Sequence, residues 1–249
     1  MTIDLTTQND QNTIGAGIDQ LFGIENVAGT AYNDTLIGNS GANRLEGNAG
    51  NRVLTGGSGG DVLLGGAGND SLNSGTGNDV LEGGTGIDWA LYNTGLSAAV
   101  TVDLSVDDQN TGGGGIDTLH DIENVMGTSF GDSLTGNNSA NELRGEAGND
   151  WLSGNGGNDV LIGNLGNDHL WGGTGADDFI FGSGWGDDWI WDFQSGSDKI
   201  DLSGVAGLDS LNQLDVENTD SGALYTFESY SILLVDVSAL SVQTTDFII

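Results

Sequence analysis

The residue most able to do chemistry in this sequence is an aspartate that returns every nine positions. From Gly29 to Leu91 the chain divides without a gap into seven nonapeptides, and from Gly127 to Ile180 into six more. Position 1 is nearly always Gly, position 8 nearly always Leu, and position 6 holds Asp34, Asn43, Arg52, Asp61, Asp70, Asp79 and Asp88, then Asp132, Asn141, Asp150, Asp159, Asp168 and Asp177. Glycines accompany the acids at positions 2 and 4: Gly57, Gly59, Gly66, Gly68, Gly75, Gly77, Gly84 and Gly86 in the first run, and Gly148, Gly157, Gly166, Gly173 and Gly175 in the second. Glycine reaches backbone angles closed to other residues, so successive carbonyl oxygens can converge beside the carboxylate. A donor set made of oxygen alone suits a hard cation such as calcium and not zinc or copper.

Other chemistries lack their residues. With no cysteine there is no disulfide, thiol nucleophile or cysteine zinc site. His120 and His169 are too far apart for a zinc protease centre, neither HExxH nor GxSxG is present, and a carboxylate pair at glycosidase spacing would be an accident of abundance. We therefore expect no catalytic centre. Asp plus Glu number 37 against 4 Lys plus Arg, a formal charge of −33, which argues against nucleic acid and anionic membranes as partners. The acids are spaced and not clustered, unlike a disordered acidic tail. The amino terminus lacks the basic and apolar segments of a Sec signal, and no stretch is long and apolar enough to span a bilayer.

The nonapeptide reads as six residues of turn and three of strand. Around the two runs lies a larger duplication: Ile24-Glu25-Asn26-Val27 returns as Ile122-Glu123-Asn124-Val125, and Gly17-Ile18-Asp19 as Gly115-Ile116-Asp117, both at an offset of 98. The expected organisation is all-β and tandem. Residues 1–91 hold lead-in strands and the first run of nonapeptides (29–91); residues 92–249 hold a second lead-in (92–126), the second run (127–180) and a carboxy-terminal region (181–249). Ala99 to Leu104 reads as a strand, followed by a glycine-rich turn at Gly112 to Gly115. The opening Thr2-Ile3-Asp4-Leu5 matches only the end of the later lead-in, which suggests a truncated copy.

The pattern GGxGxDxUx, in thirteen in-phase copies, resembles the RTX or haemolysin-type calcium-binding repeat. The segment from Gly175 through Asp188-Trp189-Ile190-Trp191-Asp192-Phe193 to Asp198-Lys199-Ile200-Asp201-Leu202 resembles the carboxy-terminal domain of serralysin-type and other type I secreted proteins. The resemblance implies a right-handed parallel β-roll in which two nonapeptides make one coil, so that repeat n stacks on repeat n+2 with calcium between their turns. It also implies multiple ions, export by type I secretion machinery, an extracellular location and a noncatalytic module.

Stacked strands lie about 4.8 Å apart. Carboxylates at that separation repel by roughly 0.9 kcal/mol in water and about 3.5 kcal/mol at an effective dielectric of 20. One inward Leu per repeat offsets little of the ordering cost, so folding and ion binding should be a single event. The pairing rule puts Asp61 over Asp79, Asp70 over Asp88, Asp132 over Asp150, Asp150 over Asp168 and Asp159 over Asp177 as the strongest expected sites. Asn43 with Asp61 and Asn141 with Asp159 keep the oxygen but lose a charge. Arg52 should face both Asp34 and Asp70 and replace ions, against the plainer reading that it turns to solvent.

Trp151 and Trp171 occupy outward positions two repeats apart, and Trp189, Trp191 and Phe193 are spaced to share one strand face. The commoner explanation is that the carboxy-terminal strands carrying these aromatics fold over the roll and cap its last rung; the alternative is a glycan-binding platform. His169 reads as a solvated outward residue. Asp246-Phe247-Ile248-Ile249 resembles a type I secretion signal, with an edge strand as the competing reading. The leading function is a calcium-binding module that folds after export. The alternatives are the noncatalytic end of a secreted protease, lipase or epimerase, and a calcium-dependent adhesin or glycan binder. A threonine array for ice binding is too sporadic at Thr76, Thr85 and Thr174.

Overall fold

The computed structural model of the chain describes residues 1–7, 9–13 and 18–249; Gly17 of the duplicated tripeptide lies outside them. Strands and turns dominate, and among the described residues there is no α-helix. The chain forms a parallel β-roll, divided into two compact units, Met1–Met126 and Gly127–Ile249.

In the first unit the strand register is the direct consequence of the nine-residue period. Val53–Ser58 pairs in parallel with Ser71–Thr76, setting Leu54 beside Leu72, while Val62–Ala67 pairs with Val80–Thr85, setting Leu63 beside Leu81. Each pairing spans two repeats, so consecutive repeats fall on opposite sheets. The two short flanks of each rung alternate inward and outward. Leu36, Leu54 and Leu72 project inward from one sheet and Leu45, Leu63 and Leu81 from the other, all at 0% exposure. The core is thus one leucine deep per repeat.

The segment 92–126, placed by the duplication ahead of the second run, contributes its strands to the first unit. Ile116–His120 pairs with Val80–Thr85, and Asn124–Met126 with Trp89–Leu91. The strand expected over 99–104 is shorter, Thr101–Asp103, with Val100 bridged to Gly112.

The second unit repeats this plan. Glu142–Ala147, Val160–Leu165, Asp178–Gly182, Lys199–Gly204 and Phe247–Ile248 form one parallel series. Ser133–Thr135, Trp151–Ser153, His169–Trp171, Asp187–Ile190 and Tyr230–Val235 form the other, which Gly222–Phe227 and Asp215–Thr219 extend antiparallel.

The aromatics of the second unit divide between the core and the outer face. The strand ends at Ile190, so Phe193 leaves the expected face and turns inward against Phe179, ring centroids 6.3 Å apart. Trp185 is buried between Phe181 and Tyr230. Trp151, Trp171, Trp189 and Trp191 remain on the outer face; all four stack on His169, and Trp171 also stacks on Trp151 and Trp191. That histidine is half-buried, 4.7 Å from both Trp151 and Trp189, and accepts a hydrogen bond from Trp191 Nε1 at 3.0 Å. Burial between the indoles depresses its pKa, so it is a neutral ring in a stack and not the solvated residue expected.

Candidate metal centre

Position 6 is an inward corner of each turn, and what its carboxylate does there is the same in almost every repeat. Its Oδ1 accepts the backbone N–H of the position-6 residue two repeats earlier. Asn43 N–H reaches Asp61 at 2.7 Å, Asp61 reaches Asp79 at 2.8 Å and Asp70 reaches Asp88 at 2.7 Å. In the second unit Asp132 reaches Asp150 at 2.7 Å, Asn141 reaches Asp159 at 2.7 Å, Asp150 reaches Asp168 at 2.8 Å and Asp159 reaches Asp177 at 2.9 Å. All five expected acid pairs, and both asparagine–aspartate pairs, are therefore adjacent along these columns.

The second carboxylate oxygen tells more. Oδ2 of Asp61, Asp70, Asp79, Asp88, Asp150, Asp159, Asp168 and Asp177 is buried with no hydrogen-bond partner. Water does not reach these oxygens, and a buried acceptor left unmade costs about 1–3 kcal/mol. All but that of Asp79 point to a glycine at position 1 of their own repeat. A Cβ built on Gly65 would lie 2.6 Å from Asp70 Oδ2 and 2.6 Å from the Gly83 carbonyl oxygen of the next turn on that side. At Gly154 the same point is shared by Asp159 Oδ2 and the Gly172 carbonyl oxygen. Oxygens without a donor between them thus converge from two stacked turns, a cradle that fits a hard cation. Among the described residues no three His, Cys, Asp or Glu side chains cluster as a metal site, so backbone carbonyls would have to supply most of the ligands.

The turn glycines make this convergence feasible. All thirteen glycines singled out at positions 2 and 4 have positive φ, from 86° at Gly75 to 149° at Gly175. At Gly77 (φ 148°) a side chain would also run into the Gly59 carbonyl of the turn below, so the turns stack only because nothing occupies that space.

Without an ion the columns are electrostatically strained. Burial, opposed by the accepted N–H bond, pushes the carboxyl groups of Asp61, Asp70 and Asp177 above the ordinary range. Asp88, Asp159 and Asp168 rise to about 6, and Asp79 and Asp150 to about 7. For Asp150 the charges of Asp168 and Asp132 add to the burial. Asp34 goes the other way. Its burial is outweighed by the amino-terminal ammonium of Met1 and by Thr30, whose backbone N–H donates at 2.6 Å.

Four acids missed in the sequence extend the columns. Asp79 N–H donates to Asp117 Oδ1 at 3.1 Å, Asp88 N–H to Glu123 Oε2 at 2.8 Å, Asp168 N–H to Asp188 Oδ1 at 2.7 Å and Asp177 N–H to Asp198 Oδ1 at 3.2 Å. Three of them sit in nonapeptides out of phase with the main runs: GGGGIDTLH at 112–120, SGWGDDWIW at 183–191 and FQSGSDKID at 193–201. Insertions before each break the count, although position 6 and an apolar position 8 survive. Burial raises the Asp188 carboxyl furthest, to about 9. A second ladder at position 5 also went unread: the side-chain oxygen of Asn51 accepts Asn69 N–H at 3.0 Å, and Asn149 accepts Asn167 N–H at 3.0 Å.

The sequence pattern of the RTX calcium-binding nonapeptide repeat matches four stretches, 21–54, 55–90, 126–161 and 153–184, together just over half of the chain. The chain belongs to this family. RTX repeats are calcium-binding modules, and the columns described above are their turns. Among solved structures, the extracellular lipase LipA from Serratia marcescens is similar at 17% identity and a TM-score of 0.39, over 87% of this chain and 40% of the lipase. The AlgE6R3 subunit of the Azotobacter vinelandii mannuronan C5-epimerase is similar at 30% identity and a TM-score of 0.37, over 46% of this chain and 79% of that one. The RTX chain spans well under two thirds of the lipase's length. No curated protein matches it significantly.

Proposed function

We propose that this RTX chain is a calcium-dependent folding module of a secreted protein. It would be unfolded where calcium is scarce, exported by type I machinery and folded outside the cell by ions held between turns n and n+2. The observation that carries this reading is the set of eight buried, partnerless Asp Oδ2 atoms, four of which, those of Asp61, Asp70, Asp88 and Asp159, converge with a backbone carbonyl of the adjacent turn. The proposed ligands are Asp61, Asp70, Asp79, Asp88, Asp132, Asp150, Asp159, Asp168 and Asp177 with the turn carbonyls, joined by Asp117, Glu123, Asp188 and Asp198. Asn43 and Asn141 make weaker sites. The two units, Met1–Met126 and Gly127–Ile249, would fold as successive calcium-loaded segments.

Extracellular calcium modules have dissociation constants of about 0.1–1 mM. At ten times such a constant each site adds about 1.4 kcal/mol to stability, and several sites acting together make the compartment the switch. Circular dichroism of metal-free protein titrated with calcium tests this. A β-rich spectrum appearing cooperatively near millimolar calcium supports the proposal, and a chain equally folded in excess chelator refutes it. Under this reading any enzymatic activity belongs to a partner domain in the same secreted protein.

The outer face of the second unit favours glycan binding as a second role. Its aromatic stack ends at a cleft of about 270 Å³ walled by Trp189, Trp191, Leu233 and Val235 and rimmed by Asp220, Ser221 and Asp236. Indole rings beside carboxylate and hydroxyl groups suit a sugar ring, with apolar contact on one side and hydroxyls donating on the other. A glycan array in calcium buffer, repeated with Trp191→Ala, tests it; equal signals from the two proteins would end this reading.

A further inference from the structure

One column of the first unit contains a residue of the wrong charge. Its position-6 residues run Asp34, Arg52, Asp70 and Asp88, and the side chain of Arg52 is 0% exposed. The backbone of Arg52 behaves as any position 6, its N–H donating to Asp70 Oδ1 at 2.8 Å. Its side chain runs through the same corner where aspartates elsewhere aim Oδ2. A Cβ built on Gly47 would meet Arg52 Cδ and the Gly65 carbonyl oxygen, just as one on Gly65 meets Asp70 Oδ2 and the Gly83 carbonyl oxygen.

Beyond that corner the guanidinium lies among oxygens of the flanking turns. Nη1 donates to the Ala67 carbonyl at 3.2 Å and is 3.6 Å from Asp70 Oδ1, and Nη2 donates to the Thr30 carbonyl at 3.4 Å. Thr30 is in repeat 1 and Ala67 in repeat 5, on either side of Arg52 in repeat 3. The sequence expectation is corrected in one respect. Arg52 reaches the turn of Asp34 through the Thr30 carbonyl, whereas the Asp34 carboxylate bonds to the Met1 ammonium and to Thr30.

We infer that Arg52 is a tethered cation, standing where calcium would otherwise lie between repeats 1 and 3 and between repeats 3 and 5. The inference rests on the proposed calcium reading. An arginine stays ionised under any folding condition and is less strongly hydrated than an ammonium, so it suits a dry corner lined by carbonyls. Burying it demands compensation, which the two carbonyls and Asp70 provide at Nη1 and Nη2, while Nε is buried without a partner. Unlike an ion it cannot dissociate, so this column is partly neutralised before any calcium arrives.

Counting bound calcium by native mass spectrometry or equilibrium dialysis, in wild type and Arg52→Asp at saturating calcium, tests the inference. Restoring the acid should add about one to two ions per chain, since the turns on both sides regain a full oxygen set. An unchanged count in a folded Arg52→Asp protein overturns the inference and leaves the calcium reading intact. A wild type that binds no calcium overturns both. Should Arg52→Asp not fold, a crystal structure of calcium-saturated wild type decides: a guanidinium between the Thr30 and Ala67 carbonyls with no ion beside it supports the inference, and an ion bound there with Arg52 displaced overturns it.

Discussion

Replacing Asp150 by Asn should change stability in opposite directions with and without calcium. Asp150 is fully buried, accepts Asp132 N–H through Oδ1, donates its own N–H to Asp168 and leaves Oδ2 partnerless. Asparagine keeps the volume and the Oδ1 acceptor, so the N–H ladder survives. What it removes is a charge flanked by two others. Rungs about 4.8 Å apart give a repulsion of roughly 0.9 to 3.5 kcal/mol per neighbour between the water and protein limits. Asp150, with its pKa pushed to about 7, is about half ionised at neutral pH. Relief from both flanks, halved for protonation and discounted for screening, comes to about 1–3 kcal/mol in favour of the variant in chelator. With calcium present the balance reverses. The amide places N–H₂ or a weaker oxygen where the ion needs a carboxylate, and losing the sites on both sides of Asp150 removes about 3 kcal/mol of calcium stabilisation at ten times the dissociation constant. Urea unfolding in about 10 mM calcium, and osmolyte-induced folding of the metal-free chain extrapolated to zero osmolyte, both followed by tryptophan fluorescence, measure the two arms. A variant whose gain on adding calcium equals that of wild type within about 0.5 kcal/mol would refute the assignment of Asp150 to an ion site.

Other consequences can be checked separately. The metal-free chain should gain structure as pH falls from about 7 to 4. Carboxyls such as those of Asp79 and Asp150 have folded pKa values near 7 against 3.8 for the ordinary group, so the folded form binds protons that the unfolded form does not. The stabilisation is complete below the ordinary value and is lost as pH rises through the folded one; a pH titration of near-ultraviolet circular dichroism showing the reverse trend would contradict this. Gly77→Ala should destabilise the calcium-loaded protein by at least about 1–3 kcal/mol, because φ is 148° there and the Gly59 carbonyl fills the space, as thermal unfolding would register. Asp198→Ala should free Asp177 N–H and Gln194 N–H and remove one calcium from the measured count. Asp246→Ala removes an acceptor for Gly196 N–H at 3.0 Å, Gln243 N–H at 2.8 Å and Ser195 Oγ at 2.6 Å, so limited proteolysis should clip the Phe247–Ile248 strand first.

That last element shows the boundary of sequence reasoning. Asp246-Phe247-Ile248-Ile249 reads first as a terminal secretion signal, with an edge strand as the competing reading. The structure folds Asp246 to 0% exposure and pairs Phe247–Ile248 with Ile200 and Asp201, contacts made across about 50 residues that no local pattern announces.

The period of nine placed the inward leucines, and the stacking of repeat n on repeat n+2 that the RTX resemblance implies turned that period into the roll and the pairing of Asp61 with Asp79 or Asp150 with Asp168. Each repeat pairs with its neighbours at n±2 and touches those at n±1, so in a solenoid a local pattern is already a tertiary one. Three things escaped that logic. Asp117, Asp188 and Asp198 lie behind insertions, and only the strand register shows that the chain returns to the same column. Phe193 and His169 take their places from packing: one turned inward at a strand end, the other held between indoles. The direction of Arg52 depends on which oxygens the turns above and below leave facing it, a property of three stacked rungs and of no single nonapeptide.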